Sequence, residues 1–253
     1  MDFEHAKQEF EAYLDGYDRT DDKINLKIIH TYQVVACSGE IAERMGLSAE
    51  DVELAKMIGL LHDIGRFEQL KRFNSFNPGT MNHAKYGAEV LFDEGMIRKF
   101  VKEDTWDAII RTAIDRHSDF AIEGVEDERT LLHARIIRDA DKLDNCRVKL
   151  EEKLETLLEH DPDEPGMDVI TDEVWSYCEA RTSVRSAARK TPIDYWVSYV
   201  AYFYDIYFKE TMQIILEKDY ISRIIHRLDY KNPATREKME KLEQDLTAYA
   251  RKM

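Results

Sequence analysis

Apolar residues follow helical spacing almost from the start of the chain. Ile24, Ile28, Thr31, Val34, Val35, Ile41 and Met45 predict a helix over 23–46. Ser48 with Asp51 resembles a capping box and opens a second helix, which should stop near Gly65. Asn82 suits the N-cap of a third helix that ends before Gly95. Asp104 suits the N-cap of a fourth, running to about Ser118. A fifth covers 127–146, with Leu132, Ile136, Ala140 and Leu143 on one face. Residues 66–81 (RFEQLKRFNSFNPGTM) break the pattern with two Asn, a Pro, a Gly and three Phe without period. They read as an ordered loop, of a length that is often functional.

The stretch DPDEPGMD at 161–168 is the linker candidate. It separates a helical core over 1–160, which carries the chemistry, from helices over 161–253 that pack on that core within the same structural domain. Beyond it Thr171, Thr191-Pro192 and Asn232-Pro233 each suit an N-cap, the last two with Pro at the first helical position. The aromatic run Tyr195–Phe208 reads as a buried helix or a roof over a pocket. The last twenty residues are charged and read as a solvated terminal helix. No strand pattern or repeat is present, so the expected class is all-α.

Composition narrows the partners. The 253 residues are 43% hydrophobic, enough for a substantial core. A net charge of −15 repels a phosphate backbone, so no long nucleic acid is expected. A small phosphorylated ligand stays compatible, because a metal site reverses the local field. Cys37, Cys146 and Cys178 form no CxxC and read as reduced thiols in a cytoplasmic protein. The N-terminus lacks an apolar leader region, and no run of 18 apolar residues predicts a membrane span.

Six residues form an ordered series: His30, His62-Asp63, His83, His117 and Asp141. Each lies in or beside a predicted helix, in apolar company. A buried carboxylate is costly alone, and the cost falls when it binds a metal. Neighbouring helical residues point about 100° apart, so an adjacent His-Asp pair reaches one site only near a helix end, which Gly65 would supply. His5, His133, His160 and His226 have no companions and read as structural or exposed.

The series resembles the HD-domain superfamily of metal-dependent phosphohydrolases. The resemblance rests on an upstream helical His30, on LLHDIGR with His62-Asp63, and on ADKLD with Asp141. Members with two metals add two further His, here matched by His83 in NHAKYGAEVL and His117 in IDRHSD. The resemblance covers residues 23–150 and implies a bundle of about five helices around the metals. By it His30, His62, Asp63 and Asp141 hold one divalent ion, and Asp63 bridges to a second held by His83 and His117. The ions would come from Mn, Fe, Mg, Co, Ni or Zn.

The implied activity is hydrolysis of a phosphate ester of a small molecule, a nucleotide among the candidates, by a metal-activated hydroxide. Asp63 would be central to it. Lys142, which follows Asp141, is the favoured cation for charge developing on phosphoryl oxygens, and Arg66 and Arg116 are further candidates. The rival reading pairs Lys142 with Asp139 or Asp144, and Arg66 with Glu68. Phe67, Phe73, Phe76 and Arg72 would meet the organic part of a substrate. Two alternatives are a di-iron oxygenase of the same superfamily and a non-catalytic nucleotide or metal sensor. The absence of a Glu-Asp pair after HDIGRFEQ argues against a (p)ppGpp hydrolase, and the absence of Gly-Tyr-Pro argues against a GYP-type phosphodiesterase.

Overall fold

The computed structural model describes residues 1–77, 79–154, 157 and 163–253, and these form helices and turns with no strand among them. The fold is all-α, in two compact units, Met1–Asp144 and Asn145–Met253. Among the described residues no helix is long and apolar enough to cross a membrane.

In the first unit, helices start where a side chain accepts from exposed backbone N–H groups. Asp2 opens α1 (Phe3–Leu14), Asp21 opens α2 (Asp22–Arg44) and Ser48 opens α3 (Ala49–Leu61). α4 (Ile64–Phe73) follows after two residues. Asn82 caps α5 (His83–Ala88), which runs into a π-helical turn, Glu89–Asp93, before Gly95 at φ +80°. α6 (Ile97–Phe100) and α7 (Asp107–Arg116) follow. α8 (Glu128–Glu151) begins beside Asp127, whose carboxylate accepts from Thr130 N at 2.7 Å.

α3 lies along α2. Gly59 permits this, since a Cβ there would sit 3.0 Å from Ser38 Oγ and 3.2 Å from Val35 Cα. The next apolar residues, Leu54, Met57, Ile58, Leu60 and Leu61, are fully buried. Each contributes about 1.5–3 kcal/mol by leaving water. Behind them Asp51 ties α3 to α8, accepting from His133 Nε2 at 3.1 Å and Arg129 Nε at 2.8 Å.

In the second unit the three expected caps are present. Thr171, Thr191 and Asn232 accept from the first turns of α10 (Asp172–Glu179), α11 (Pro192–Ala201) and α14 (Pro233–Ala250). The intervening elements are α9 (Asp163–Met167), α12 (Lys209–Glu217) and α13 (Tyr220–Ile225). The buried Asp194 carboxylate accepts from Thr171 N and Thr171 Oγ1, both at 3.0 Å, and joins α10 to α11.

Five sequence expectations need correction. The second helix ends at Leu61 and not near Gly65. The first half of the expected loop 66–81 is helical, because Ile64, Phe67 and Leu70 form a buried stripe and α4 runs to Phe73. Asp104 caps no helix; it only closes a backbone turn to Asp107 N, and α7 starts at Asp107. The aromatic run is α11 followed by a 3₁₀ turn, Tyr202–Asp205, with 206–208 outside any helix. The terminal helix buries Thr235, Met239, Leu242, Leu246 and Ala250 on one face. Of the linker stretch, 161 and 162 lie outside the described residues, as does His160, and Asp163–Met167 is α9.

Candidate metal centre

All six residues of the series meet inside the first unit. His30 lies on α2, and His62 and Asp63 form the joint between α3 and α4. His83 opens α5, His117 follows α7 and Asp141 lies on α8. The first five are buried, and the Asp141 side chain is 27% exposed, so the centre reaches solvent beside Asp141.

The joint explains how a His-Asp pair serves one site. His62 closes α3 with helical dihedrals, and Asp63 then turns to φ −102°, ψ 17° before α4 begins. This sparsely populated backbone region recurs at functional residues. Gly65 has a different task from the one expected of it. A Cβ there would meet His83 O at 2.3 Å and Gly87 N at 2.7 Å, so Gly65 lets α5 press against α4 and seats His83.

The donor atoms fall into two groups. Those of His30, His62 and Asp141 lie within 4.8 Å of one another, as do those of Asp63, His83 and His117. Asp63 faces both. Its Oδ2 is 3.6 Å from His62 Nε2 and 3.9 Å from His30 Nε2, and its Oδ1 is 3.2 Å from His83 Nε2 and 3.7 Å from His117 Nε2.

The imidazoles are oriented from behind. His62 Nδ1 donates to Gly59 O at 2.8 Å and His117 Nδ1 to Ile114 O at 2.7 Å. His30 Nδ1 donates to Asp144 Oδ2 at 2.6 Å. These acceptors fix the proton on Nδ1 and turn the Nε2 lone pairs inward, as metal-binding histidines require. The buried Nε2 of His62 has no hydrogen-bond partner, and that of His30 stands 3.0 Å from Asp141 Oδ1. His83 Nε2 accepts from Arg66 Nη2 at 3.0 Å while standing 3.1 Å from His117 Nε2. The donor set therefore fits divalent cations.

Four of the donors, His62, His83, Asp63 and Asp141, are held in the unprotonated form. Burial pushes His62 down to about 4 and His83 down to about 3, so both are neutral at pH 7, as a metal ligand must be. Burial would raise Asp63, but Lys27 and the surrounding imidazoles outweigh it and hold the carboxyl well below its ordinary range. Asp141 is likewise depressed, with His30 overcoming burial. Burial and Lys27 push the His30 pKa down, yet Asp141 and Asp144 outweigh both and raise it above the ordinary histidine value.

Four further residues shape the centre. Lys27 Nζ lies 2.7 Å from Asp63 Oδ2, and Lys27 precedes His30 by one helical turn. Asp144, one turn after Asp141, orients His30. Gln69 is fully buried and accepts from Arg66 Nη1 at 2.5 Å, and it donates to Asn77 O and Thr80 Oγ1 at 2.9 Å. Arg138 is buried and donates to His117 O at 3.3 Å and Phe120 O at 3.2 Å, bracing the turn that carries His117.

The other candidates part company. Lys142 is half-buried on α8 beside Asp141. Arg66 reaches the centre, with Nε 3.8 Å from Asp63 Oδ1, while its expected rival partner Glu68 pairs with Arg72 at 2.6 Å. Arg116 is paired with Asp119. Phe67 cannot meet a substrate: it is fully buried against Phe10, Tyr13 and Tyr17. Phe73 is exposed at the end of α4, whereas the Phe76 ring lies 5.9 Å from both Lys27 Nζ and the Arg66 guanidinium carbon. His133 is buried on Asp51, His226 pairs with Glu243 at 2.8 Å, and His5 contacts Lys99 O at 2.9 Å.

Comparison with protein families matches residues 28–146 to the HD domain. This segment is an HD domain. No curated protein and no solved structure matches the chain. The matched span opens two residues before His30 and closes five after Asp141, so all six donors lie inside the HD domain.

Proposed function

We propose that the HD domain holds two divalent ions and hydrolyses a phosphate ester of a small molecule, a nucleotide being one candidate. The observation that carries this reading is Asp63, whose two carboxylate oxygens face two separate groups of donors. His30, His62 and Asp141 with Asp63 Oδ2 would hold one ion, and His83 and His117 with Asp63 Oδ1 the other. Bound there, the ions supply a water acidic enough to ionise near neutral pH and neutralise charge on phosphoryl oxygens. The chain does the rest. Asp144, Gly59 O and Ile114 O hold three imidazoles in register. The exposed edge of Asp141 admits the substrate, and the cations beside it stabilise the phosphoryl group as its charge shifts.

The decisive measurement is metal analysis followed by a phosphate-release screen over nucleotides, sugar phosphates and pyrophosphates. About two ions per chain are expected, falling to about one in His83→Ala. A ceiling of one under metal excess, unchanged by His83→Ala, would end the two-metal reading. Oxygen uptake without phosphate release would favour a di-iron oxygenase.

Lys142 is assigned to the phosphoryl group. Its stem can carry the ammonium from α8 to an oxygen that the ions leave uncovered. Lys142→Ala should keep both metals and lower kcat by roughly 10²-fold, the scale of one lost electrostatic donor. Lys142→Arg should recover only part, because a planar fork is not a point charge. Normal kcat with a stability loss of no more than about 1 kcal/mol would make Lys142 a surface ion-pair residue.

A further inference from the structure

We infer that Lys27 and Arg66 form a two-pronged anion clamp that selects a terminal, dianionic phosphoryl group over an internal diester; this rests on the phosphate-ester reading above. The two cations stand on opposite oxygens of Asp63, with Lys27 Nζ 2.7 Å from Oδ2 and Arg66 Nε 3.8 Å from Oδ1. Each side chain keeps 13% exposure. Both also act electrostatically on Asp141, the donor that reaches solvent.

Neither cation is saturated by its neighbours. Arg66 spends Nη1 on Gln69 Oε1 and Phe76 O, Nη2 stands 3.0 Å from His83 Nε2, and the buried Nε has no hydrogen-bond partner. An ammonium has three donor hydrogens. The contact of Lys27 with Asp63 uses one of them. Asp63 Oδ2 has a second lone pair, so it can serve Lys27 and still face His30 and His62.

The scaffold holds the prongs in place. Phe76 offers its ring to Lys27 and Arg66 at 5.9 Å and to Lys23 at 6.0 Å. The segment carrying Phe76 is anchored at Asn74 O by Lys23 at 2.6 Å and at Asn77 O by Gln69 at 2.9 Å. Gln69 thus fixes Arg66 with one end of its amide and the Phe76 segment with the other.

Charge decides the ligand class. Asp63, Asp141 and Asp144 bring three negative charges, and Lys27 and Arg66 bring two positive ones. With two divalent ions the centre carries a surplus of positive charge. A dianionic terminal phosphate offsets more of that surplus than a monoanionic diester does. It also offers the extra unesterified oxygen that a second cationic prong needs.

The test uses the metal-loaded protein, with inorganic phosphate and dimethyl phosphate as calorimetric ligands. 4-Nitrophenyl phosphate and bis(4-nitrophenyl) phosphate serve as turnover probes. Wild type should bind inorganic phosphate at least about tenfold more tightly than dimethyl phosphate and should favour the monoester in kcat/KM. Lys27→Met, with both metals retained, should weaken inorganic phosphate about tenfold while changing dimethyl phosphate by less than about twofold. Lys27→Arg should restore part of the loss. Equal binding of the two ligands by wild type overturns the clamp, whatever the variants do. Parallel losses for both ligands in Lys27→Met, or loss of metal in that variant with Lys27→Arg showing no phosphate preference, also overturn it and leave Lys27 as a counter-ion. If neither ester is turned over, the phosphate-release screen decides the hydrolase reading, while calorimetry still judges the clamp.

Discussion

Asp63→Ala will empty both metal sites and abolish turnover, because one carboxylate serves two groups of donors. No other residue of the six can substitute: His62 Nε2 and His83 Nε2 each look toward a different oxygen of the same side chain. The expected readout is a metal content near zero and a turnover loss of at least about 10³-fold. The fold should persist at a cost. Removing one partner of a buried ion pair costs about 3–5 kcal/mol when the other charge stays trapped. Lys27 is not fully enclosed, so its stem can turn the ammonium toward water and reduce that penalty. Far-ultraviolet circular dichroism should therefore stay helical. Asp63→Asn, nearly isosteric, should also lose both metals. Full occupancy of even one site in Asp63→Ala would refute the bridging arrangement.

Gly65→Ala carries the second large effect, and its sign is diagnostic. Helix propensity alone favours Ala over Gly by about 1 kcal/mol, so an unhindered position would gain stability. Here the new Cβ meets the His83 carbonyl oxygen at 2.3 Å and the Gly87 nitrogen at 2.7 Å. Both are backbone atoms and cannot rotate away. α5 must move off α4, at a cost of about 3 kcal/mol for overpacking, which corresponds to a Tm lower by roughly 6–12 °C. His83 moves with α5, so the ion held by His83 and His117 should be lost before its neighbour. A stabilised Gly65→Ala protein with two ions would show that the close approach does not matter.

Much of the centre was legible because its chemistry is written in residue types. The series from His30 to Asp141 is distinctive in order, and the structure brings all six together. The N-caps at Ser48, Asn82, Thr171, Thr191 and Asn232 were equally legible, since each depends on a few neighbouring residues. What escaped was non-local or masked by a stronger local cue. Phe67 looked like part of an irregular aromatic loop, and only its buried alignment with Ile64 and Leu70 shows a helix stripe. Gly65 looked like a stop, although it answers to α5, which lies beyond the next segment. Lys27 and Asp144 were open to discovery by spacing. Each stands one helical turn from a donor, where side chains share a face, but a lysine or aspartate at that spacing is common on any acidic helix.

One stretch of α8 serves three places at once. Arg138 braces the turn behind His117, Asp141 is a donor beside His30, and Asp144 holds the far side of the His30 ring. These residues recur at intervals of three, so they descend a single face of the helix. Each added or deleted residue turns everything beyond it by about 100°. Between 138 and 144 only Asp141 and Lys142 are not buried, so the segment has no outer face free to vary. A change of length between 138 and 144 would swing one task out of reach while leaving the others in place. Gaps and insertions should collect outside that window.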